Sequence, residues 1–311
     1  MKIEWLPFRN RPHTILVELT NRCNFRCRMC GIWREETKTD FGLDHFEAML
    51  MQKAVRSVRL IGLTGGEPFC LGDLHDYYTL ARRYAPAAHI NISTNGYYTE
   101  SILKFLTNAE RSAPSITISY DGMKSHDAIR GMDGASERLW NTVRQIRKQF
   151  PKTALSLKLT ITNENHSELL DTARQCKEHG IALRIKTLEK LKCHQSRCTA
   201  EIEGPEYTDE IMNSIADQAR QILRLGIETN RKYLKKLLRW RAEAAGPCGC
   251  SARVLFAGID GNLFLCRKRD PIGNLFRQPL DEIWSSDAKH DMIAAMKNCR
   301  NSPFGLSFTH D

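Results

Sequence analysis

Residues 155–185, LSLKLTITNENHSELLDTARQCKEHGIALRI, contain the stretch that decides the fold. The apolar pattern predicts a strand over Leu155–Thr160, a helix over Ser167–His179 and a second strand over Ala182–Ile185. Gly180 follows the helix at the position where a left-handed residue commonly ends one. A strand, a helix and a strand in succession predict parallel strands of one sheet joined by a right-handed crossover.

The same alternation extends through the preceding part of the chain. Four more strands are predicted, at Ile15–Leu19, Val58–Leu63, His89–Ser93 and Ser115–Ser119. Helices are predicted between them, near Asp44–Val55, Leu74–Tyr84, Glu100–Ala109 and Ser136–Phe150. Six strands are two short of a closed eight-stranded barrel. We therefore expect an α/β fold, a partial (β/α)6 TIM-like barrel with its chemistry at the carboxyl ends of the strands.

The alternation stops after Leu188, which suggests three regions. We predict a barrel domain over 1–190, a helical linker region over 191–245 and a small C-terminal domain over 246–311. The linker region should hold helices near Thr208–Leu225 and Arg231–Ala244. The C-terminal domain should hold a hairpin that turns at Asp260-Gly261 and a last helix near Leu280–Lys297.

Composition and charge limit the functional classes. Hydrophobic residues make up 41% and charged residues 26% of the 311 residues, as in ordinary globular proteins. Neither a membrane-spanning stretch nor a secretion signal is recognisable, so we expect a cytoplasmic protein that is not bound to a membrane. Eleven cysteines in such a chain favour metal binding or redox work over disulfides.

The net charge of +10 is densest over residues 231–241, which predict a basic amphipathic helix. This helix has either a solvated face or a docking surface for an acidic partner. Such a partner would be a flavodoxin, an acidic peptide or a phosphorylated substrate. Because no recognition motif accompanies the charge, nucleic acid is not an expected partner.

A cysteine motif follows the first predicted strand. Cys23, Cys27 and Cys30 are separated by three and then two residues. A loop with this spacing can bind three irons of one cubane cluster and leave the fourth iron open for a reacting ligand. The alternative is a zinc site that takes a distant fourth ligand.

Polar motifs follow the next three strands. After the second strand, Gly65 and Gly66 would let a ligand approach the backbone, and Glu67 could receive an ammonium group. The segment Ser93-Thr94-Asn95-Gly96 offers hydroxyl and amide groups suited to a ribose. The last motif is Ser119-Tyr120-Asp121-Gly122, followed by His126, Asp127 and Arg130. Ordinary turn chemistry is the alternative for each of these motifs.

Together these motifs resemble the signature of the radical S-adenosylmethionine (radical SAM) superfamily. The resemblance implies a [4Fe–4S] cluster on Cys23, Cys27 and Cys30, with Met29 beside the adenine at a position that is usually aromatic. It also implies S-adenosylmethionine as cosubstrate, with its methionine amine held by the GGEP motif. The remaining cofactor-binding candidates are Gly65, Gly66, Glu67, Pro68, Ser93, Asn95, Ser119, Asp121 and Arg130, with Ser119 and Arg130 for the methionine carboxylate. Such enzymes cleave the cosubstrate to a 5′-deoxyadenosyl radical, which removes hydrogen from an unactivated carbon.

A second cysteine group resembles the SPASM and twitch C-terminal extensions of that superfamily. Cys250, Gly261 and Cys266 are spaced as C-x10-G-x4-C, and Cys299 lies further on. The resemblance implies one auxiliary [4Fe–4S] cluster, completed by either Cys248 or Cys250. Cys248, Cys193 and Cys198 are candidate catalytic thiols that return a hydrogen atom to a substrate radical. Free thiols in loops are the alternative for Cys193 and Cys198.

Two enzymatic functions fit the resemblance. The leading one is an oxidoreductase or epimerase that acts on a polar natural product, such as an aminoglycoside or aminocyclitol. Arg184 and Lys186 either face its cavity or lie outside as solubilising charges. The second is a maturase that crosslinks, epimerises or forms a thioether in a ribosomally made peptide. Thirteen residues precede the first strand, so an N-terminal leader-binding domain is not expected. Both functions imply a flavodoxin- or ferredoxin-type electron donor.

Overall fold

Six parallel strands follow one another in the sheet in the order in which they occur in the chain. The structure is a computed structural model and describes residues 11–109, 114–188, 207–241, 253–297 and 299. The strands are β1 (Thr14–Thr20), β2 (Leu60–Gly65), β3 (His89–Thr94), β4 (Ser115–Ser119), β5 (Leu155–Ile161) and β6 (Ala182–Thr187). Each strand pairs in parallel with the next. The predicted partial α/β barrel is confirmed.

Helices connect these strands and cover one face of the sheet. They are α1 (Leu43–Leu50), α2 (Leu74–Tyr84), α3 (Thr99–Ala109), α4 (His126–Arg130), α5 (Ala135–Gln149) and α6 (Leu169–Glu178). Alternate residues of each strand are apolar and fully buried against them, as Leu157 and Leu159 are on β5. Gly180, with φ +62°, ends α6 in the left-handed conformation that the sequence predicts.

The opposite face of the sheet lines the inside of the barrel. It is polar on β3, β4 and β5, whereas Leu16 on β1 packs there against an apolar cluster. Asn91 on β3 donates hydrogen bonds to Ser115 Oγ at 2.8 Å and to Thr117 Oγ1 at 2.9 Å on β4. Thr117 in turn lies 3.2 Å from Ser156 Oγ on β5. The barrel interior therefore carries a network of hydroxyl and amide groups across three strands.

The C-terminal hairpin extends the barrel sheet. It consists of β7 (Val254–Ala257), β8 (Asn262–Phe264) and β9 (Gly273–Asn274). Strand β7 pairs in parallel with β1, whereas β8 and β9 are antiparallel to their neighbours. Gly261, with φ +79°, lies at the predicted turn. Among the described residues the strand order is β6-β5-β4-β3-β2-β1-β7-β8-β9.

The remaining helices are α7 (Asp209–Leu225), α8 (Arg231–Leu238), α9 (Leu280–Ser285) and α10 (Asp287–Lys297). The single helix predicted near Leu280–Lys297 is wrong, because extended backbone at Ser286 (ψ 155°) separates α9 from α10. The carboxylate of Asp281 accepts hydrogen bonds from Lys53 N and Ala54 N, at 2.9 and 2.7 Å, and so joins α9 to the barrel. In the described part of the chain, none of the helices has the length and apolarity needed to cross a membrane.

Candidate cofactor-binding site

The polar motifs all lie at one edge of the sheet. The cysteine loop follows β1, the GGEP motif closes β2, and the motifs around Asn95 and Asp121 follow β3 and β4. Because carboxyl ends of parallel strands meet at the same edge, segments distant in sequence become neighbours there. The candidate residues are thus gathered around the cysteine loop.

The GGEP motif holds the first part of the cysteine loop. Gly66 N donates to Thr20 O at 2.6 Å, and Glu67 N donates to Arg22 O at 2.8 Å. A Cβ atom on Gly66 would overlap Arg22 O, and Gly65 has φ +128°. The close approach of the loop backbone therefore requires both glycines. Their direct contact with a ligand stays a prediction.

Helix α4 holds the second part of the cysteine loop. Arg26 N donates to Arg130 O at 3.2 Å, and Arg28 N donates to Ile129 O at 2.9 Å. The loop also forms an internal turn, in which Cys30 N donates to Cys27 O at 3.2 Å. Backbone hydrogen bonds therefore hold the loop from both sides.

The three thiols lie together in a small apolar cluster. Cys27 is buried and packs with Phe25 and Ala135, while Cys23 and Cys30 are half-buried at the edge of this cluster. Within the described residues, no three His, Cys, Asp or Glu side chains converge closely enough to hold a single metal ion.

Burial raises the pKa of two of these thiols, Cys23 and Cys27. It raises the pKa of Cys23 to about 12, against the lowering effect of a hydrogen bond from the Phe25 backbone. Burial also raises the pKa of Cys27, although the nearby Arg130 guanidinium lowers it. Without metal the thiols of Cys23 and Cys27 hold their protons, so metal binding must release them.

Glu67 lies at the centre of the site and is fully enclosed, with 1% of its surface exposed. Its carboxylate accepts hydrogen bonds from Thr94 Oγ1 at 2.6 Å, Asn95 N at 2.6 Å and Phe69 N at 3.1 Å. Burial raises its pKa to about 7, although these hydrogen bonds lower it. A carboxylate offers about four acceptor positions, so one remains for the ammonium group that the sequence suggests.

Asp121 and Arg130 form a buried ion pair beside the cysteines. Arg130 Nη2 lies 2.5 Å from Asp121 Oδ2, and Arg130 Nη1 lies 3.8 Å from Cys27 Sγ. The other carboxylate oxygen of Asp121 accepts a hydrogen bond from Thr160 N at 2.8 Å. Arg130 is thus oriented toward a cysteine sulfur, while its predicted contact with a methionine carboxylate stays a prediction.

The other cofactor candidates surround this core. Met29 and Ser93 are half-buried, and Pro68 and Ser119 are buried. Asn95 Nδ2 donates to Asn24 Oδ1 at 2.8 Å, which connects the β3 motif to the cysteine loop. The structure therefore brings all four motifs together, and the individual ligand contacts of these side chains stay predictions.

The second cysteine group is described in part. Cys266 is buried just after β8, and Cys299 is half-buried beyond α10. Arg269 Nη2 donates to Ala295 O at 3.4 Å, which brings the segment after Cys266 close to the end of α10. The other candidates, Cys193, Cys198, Cys248 and Cys250, lie outside the described residues, so the auxiliary cluster stays a prediction.

Two residues of the site were missed by the sequence reasoning as individual candidates. Thr94 supports Glu67 through its hydroxyl. Lys158 lies on the barrel face of β5, between the buried Leu157 and Leu159. Period-two alternation places a residue between two buried leucines on the opposite face, so this pattern was the available signal.

These features define the class of site: three thiols gathered at the carboxyl end of a partial parallel barrel. A model of the radical SAM superfamily matches residues 17–176, just over half of the chain. The chain therefore belongs to the radical SAM superfamily. Membership implies a [4Fe–4S] cluster and S-adenosylmethionine.

Individual relatives differ in how much of the chain they cover. The GTP 3′,8-cyclase of Nautilia profundicola is 29% identical over 190 residues, which are 57% of this chain and 57% of that protein. The AdoMet-dependent heme synthase of Methanosarcina barkeri is 25% identical over 299 residues, 89% of this chain and 83% of that protein. Crystalline Streptococcus suis SuiB bound to S-adenosylmethionine has a TM-score of 0.70 at 14% identity, covering 96% of this chain and 73% of SuiB. This last likeness concerns the fold.

The residues present fit the cofactors that the superfamily implies. Three thiols supply the soft ligands that iron–sulfur clusters take, and Cys23, Cys27 and Cys30 would hold the cluster. Arg130 Nε and Asn24 Nδ2 are buried donors without a hydrogen-bond partner among the described residues. Buried donors normally have partners, so these two are available to a bound ligand.

Proposed function

We propose that this radical SAM enzyme oxidises or epimerises a polar natural product of the aminoglycoside or aminocyclitol kind. The observation that carries the proposal is the polar inner face of the barrel. Side chains of Asn91, Ser115, Thr117 and Ser156 form one hydrogen-bonded network in the amino-terminal halves of β3, β4 and β5. Ser93 Oγ donates to Asn91 Oδ1 at 3.4 Å and so continues this network toward the carboxyl end of β3. Hydroxyl and amide groups of this kind match a substrate rich in hydroxyl and amino groups.

The site divides its tasks between two parts of the barrel. When bound, the cluster and S-adenosylmethionine would supply a radical that removes hydrogen from a substrate carbon. The chain's own residues position the partners. The GGEP motif and α4 fix the cysteine loop, Glu67 offers an acceptor to an ammonium group, and the inner face orients the substrate.

The alternative is peptide modification, and one observation favours it. Helix α8 buries Tyr233, Leu234 and Leu237 and exposes its cationic side chains, Arg231, Lys232 and Lys235. A basic exposed face suits an acidic peptide. It equally suits an acidic electron donor of the flavodoxin or ferredoxin type, which we propose as the physiological reductant.

The decisive experiment measures release of 5′-deoxyadenosine. Anaerobically reconstituted full-length protein would be incubated with dithionite and S-adenosylmethionine, with a panel of aminoglycosides and aminocyclitols or with acidic peptides. We expect an aminoglycoside or aminocyclitol to stimulate release and to be converted. Stimulation by peptides alone would replace the proposal with the alternative. Solvent deuterium in the product would indicate epimerisation, and its absence would indicate oxidation.

Iron counting tests the auxiliary cluster separately. Two cubane clusters hold about eight irons per chain, and one holds about four. Cys266→Ala should lower the count by about four and leave the cysteine loop intact. A count of about four in the unmodified protein would remove the auxiliary cluster from the proposal.

A further inference from the structure

Lys158 occupies an unusual place inside the barrel. It lies in the middle of β5, and its neighbours Leu157 and Leu159 are fully buried against the helices. Its side chain therefore lies on the inner face, where it is half-buried. The strand register sets it opposite Ser119 on β4 and Arg184 on β6.

Positive charges dominate the surroundings of this amine. Lys186, Arg130 and Arg267 all act on it electrostatically, and Asp121 is the acid that acts on it. Asp121 is already paired with Arg130 at 2.5 Å. The negative charge of Asp121 therefore stabilises mainly Arg130 and contributes less to Lys158.

One of these cations, Arg267, lies near a further acid on β1. Arg267, next to Cys266, lies 3.9 Å from the Glu18 carboxylate on β1. Burial first, and then the neighbouring cations, lower the pKa of Lys158 to about 7. Of the four charged groups that act on Lys158, three are thus cations, and the acid, Asp121, is paired with Arg130.

The amine of Lys158 has no hydrogen bond or ion pair with any residue in the described ranges. A lysine that serves only solubility extends its amine into water. Here the side chain lies among cations on the inner face instead. Withdrawing an ammonium group from water without a partner is unfavourable, so an anion that binds there would be stabilised.

We propose that Lys158 and Lys186 bind an anionic group of the substrate, a carboxylate or a phosphate, inside the barrel. Register places Thr160 opposite Lys186, two residues beyond the pair of Lys158 with Arg184. From strand spacing and rise, the two lysine Cα atoms lie about 8 Å apart on one face. Long side chains at this separation can both reach one anion. The inference rests on the proposed function in that it assumes a substrate inside the barrel. It further requires that this polar natural product carries a carboxylate or a phosphate beside its hydroxyl and amino groups.

Competitive acetylation of lysines tests this site without knowledge of the substrate. Reconstituted full-length protein, saturated with S-adenosylmethionine and without reductant, would be treated with trace acetic anhydride. Mass spectrometry would give the acetylation rate of each lysine at increasing inorganic phosphate or succinate. Sodium chloride at equal ionic strength controls for screening. Lys104, exposed on α3, is the internal control.

We expect phosphate, succinate or both to slow acetylation of Lys158 to a saturating limit and to leave Lys104 unaffected. Protection by phosphate alone assigns a phosphate, and protection by succinate alone assigns a carboxylate. Lys186→Met should weaken binding of the protecting anion by about tenfold to a hundredfold. This factor corresponds to the loss of one charge-assisted hydrogen bond. The matched variant Lys104→Met should leave protection unchanged.

Three results would overturn the inference. These are an unchanged Lys158 rate with both anions, equal protection in Lys186→Met, and full protection when S-adenosylmethionine alone is added to reconstituted protein that lacks it. The last result would assign Lys158 to the methionine carboxylate. Because the assay requires no cleavage of the cosubstrate, it is independent of 5′-deoxyadenosine release. Absence of that release would remove the proposed function and leave a measured anion site in place.

Discussion

Replacing Asp121 by asparagine should destabilise the protein through the buried ion pair with Arg130. The two groups are 2.5 Å apart, and Asp121 is fully buried. Charge centres about 4 Å apart attract by about 4 kcal/mol at an effective dielectric constant of about 20. Removing one partner of a buried pair costs about 3–5 kcal/mol, because the other charge stays buried without compensation. Asparagine keeps an acceptor for Thr160 N, so we expect the lower end, about 3 kcal/mol.

Urea unfolding of the metal-free protein, followed by circular dichroism, measures this loss. With an m-value of about 3 kcal/mol per M for a chain of this size, the midpoint should fall by roughly 1 M. The matched control is Asp217→Asn, which removes the same charge from an exposed pair with Arg220 at 2.6 Å. Exposed pairs contribute about 0–1 kcal/mol, so the control should shift the midpoint far less.

A double-mutant cycle separates the ion pair from packing effects. In an Arg130→Met background, Asp121→Asn should cost less than about 1 kcal/mol, because no buried cation then remains to be compensated. Equal shifts for Asp121→Asn and Asp217→Asn would refute the reasoning. So would an undiminished cost of Asp121→Asn in the Arg130→Met background.

Three other substitutions address the cofactor site. Cys27→Ala should lower bound iron by about four per chain and abolish 5′-deoxyadenosine release. The control Cys176→Ala, which alters a buried cysteine on α6, should retain both the iron and the release. Normal release by Cys27→Ala would contradict the assignment of Cys27 as a cluster ligand. Gly66→Ala places a Cβ against Arg22 O and should lower iron retention. Gly72→Ala, which has open space around its Cβ, should not. Equal iron retention in the two variants would show that the cluster site does not depend on the close approach at Gly66. The pKa of Glu67 is raised from 4.5 to about 7, so between these pH values the folded state holds a proton that the unfolded state has lost. The free energy of unfolding should therefore fall by up to about 3 kcal/mol as the pH rises from about 4.5 to about 7. Urea midpoints between pH 5 and 8 should show this slope, and Glu67→Gln should flatten it; a slope that persists in the variant would assign it to another group.

Local pattern was sufficient to predict most of the barrel. The strand predicted at Leu155–Thr160 corresponds to β5 (Leu155–Ile161), and the others agree within a few residues. Period-two and period-3.6 alternation is a property of neighbouring residues, so it can be recognised in the sequence without knowledge of the tertiary fold. The helix predicted near Leu280–Lys297 failed because its apolar pattern continues across the break at Ser286.

The location of the site was also predictable, but its internal contacts were not. Motifs that end successive parallel strands must meet at one edge. That Glu67 would be enclosed by Thr94 and Asn95, or that both glycines would face the cysteine loop, depends on backbone approach. Turn residues signal a turn and do not specify which segment lies against it.

The sequence by itself determined the strand–helix alternation, the order of the motifs and the three thiols that imply a cluster. Only the tertiary structure decided that β7 pairs with β1, that Arg130 reaches a sulfur 103 residues away, and that Lys158 lies among cations. The physical reason is the range of the interactions. Secondary structure follows from periodicity over a few residues, whereas these contacts depend on how barrel curvature brings distant strands together.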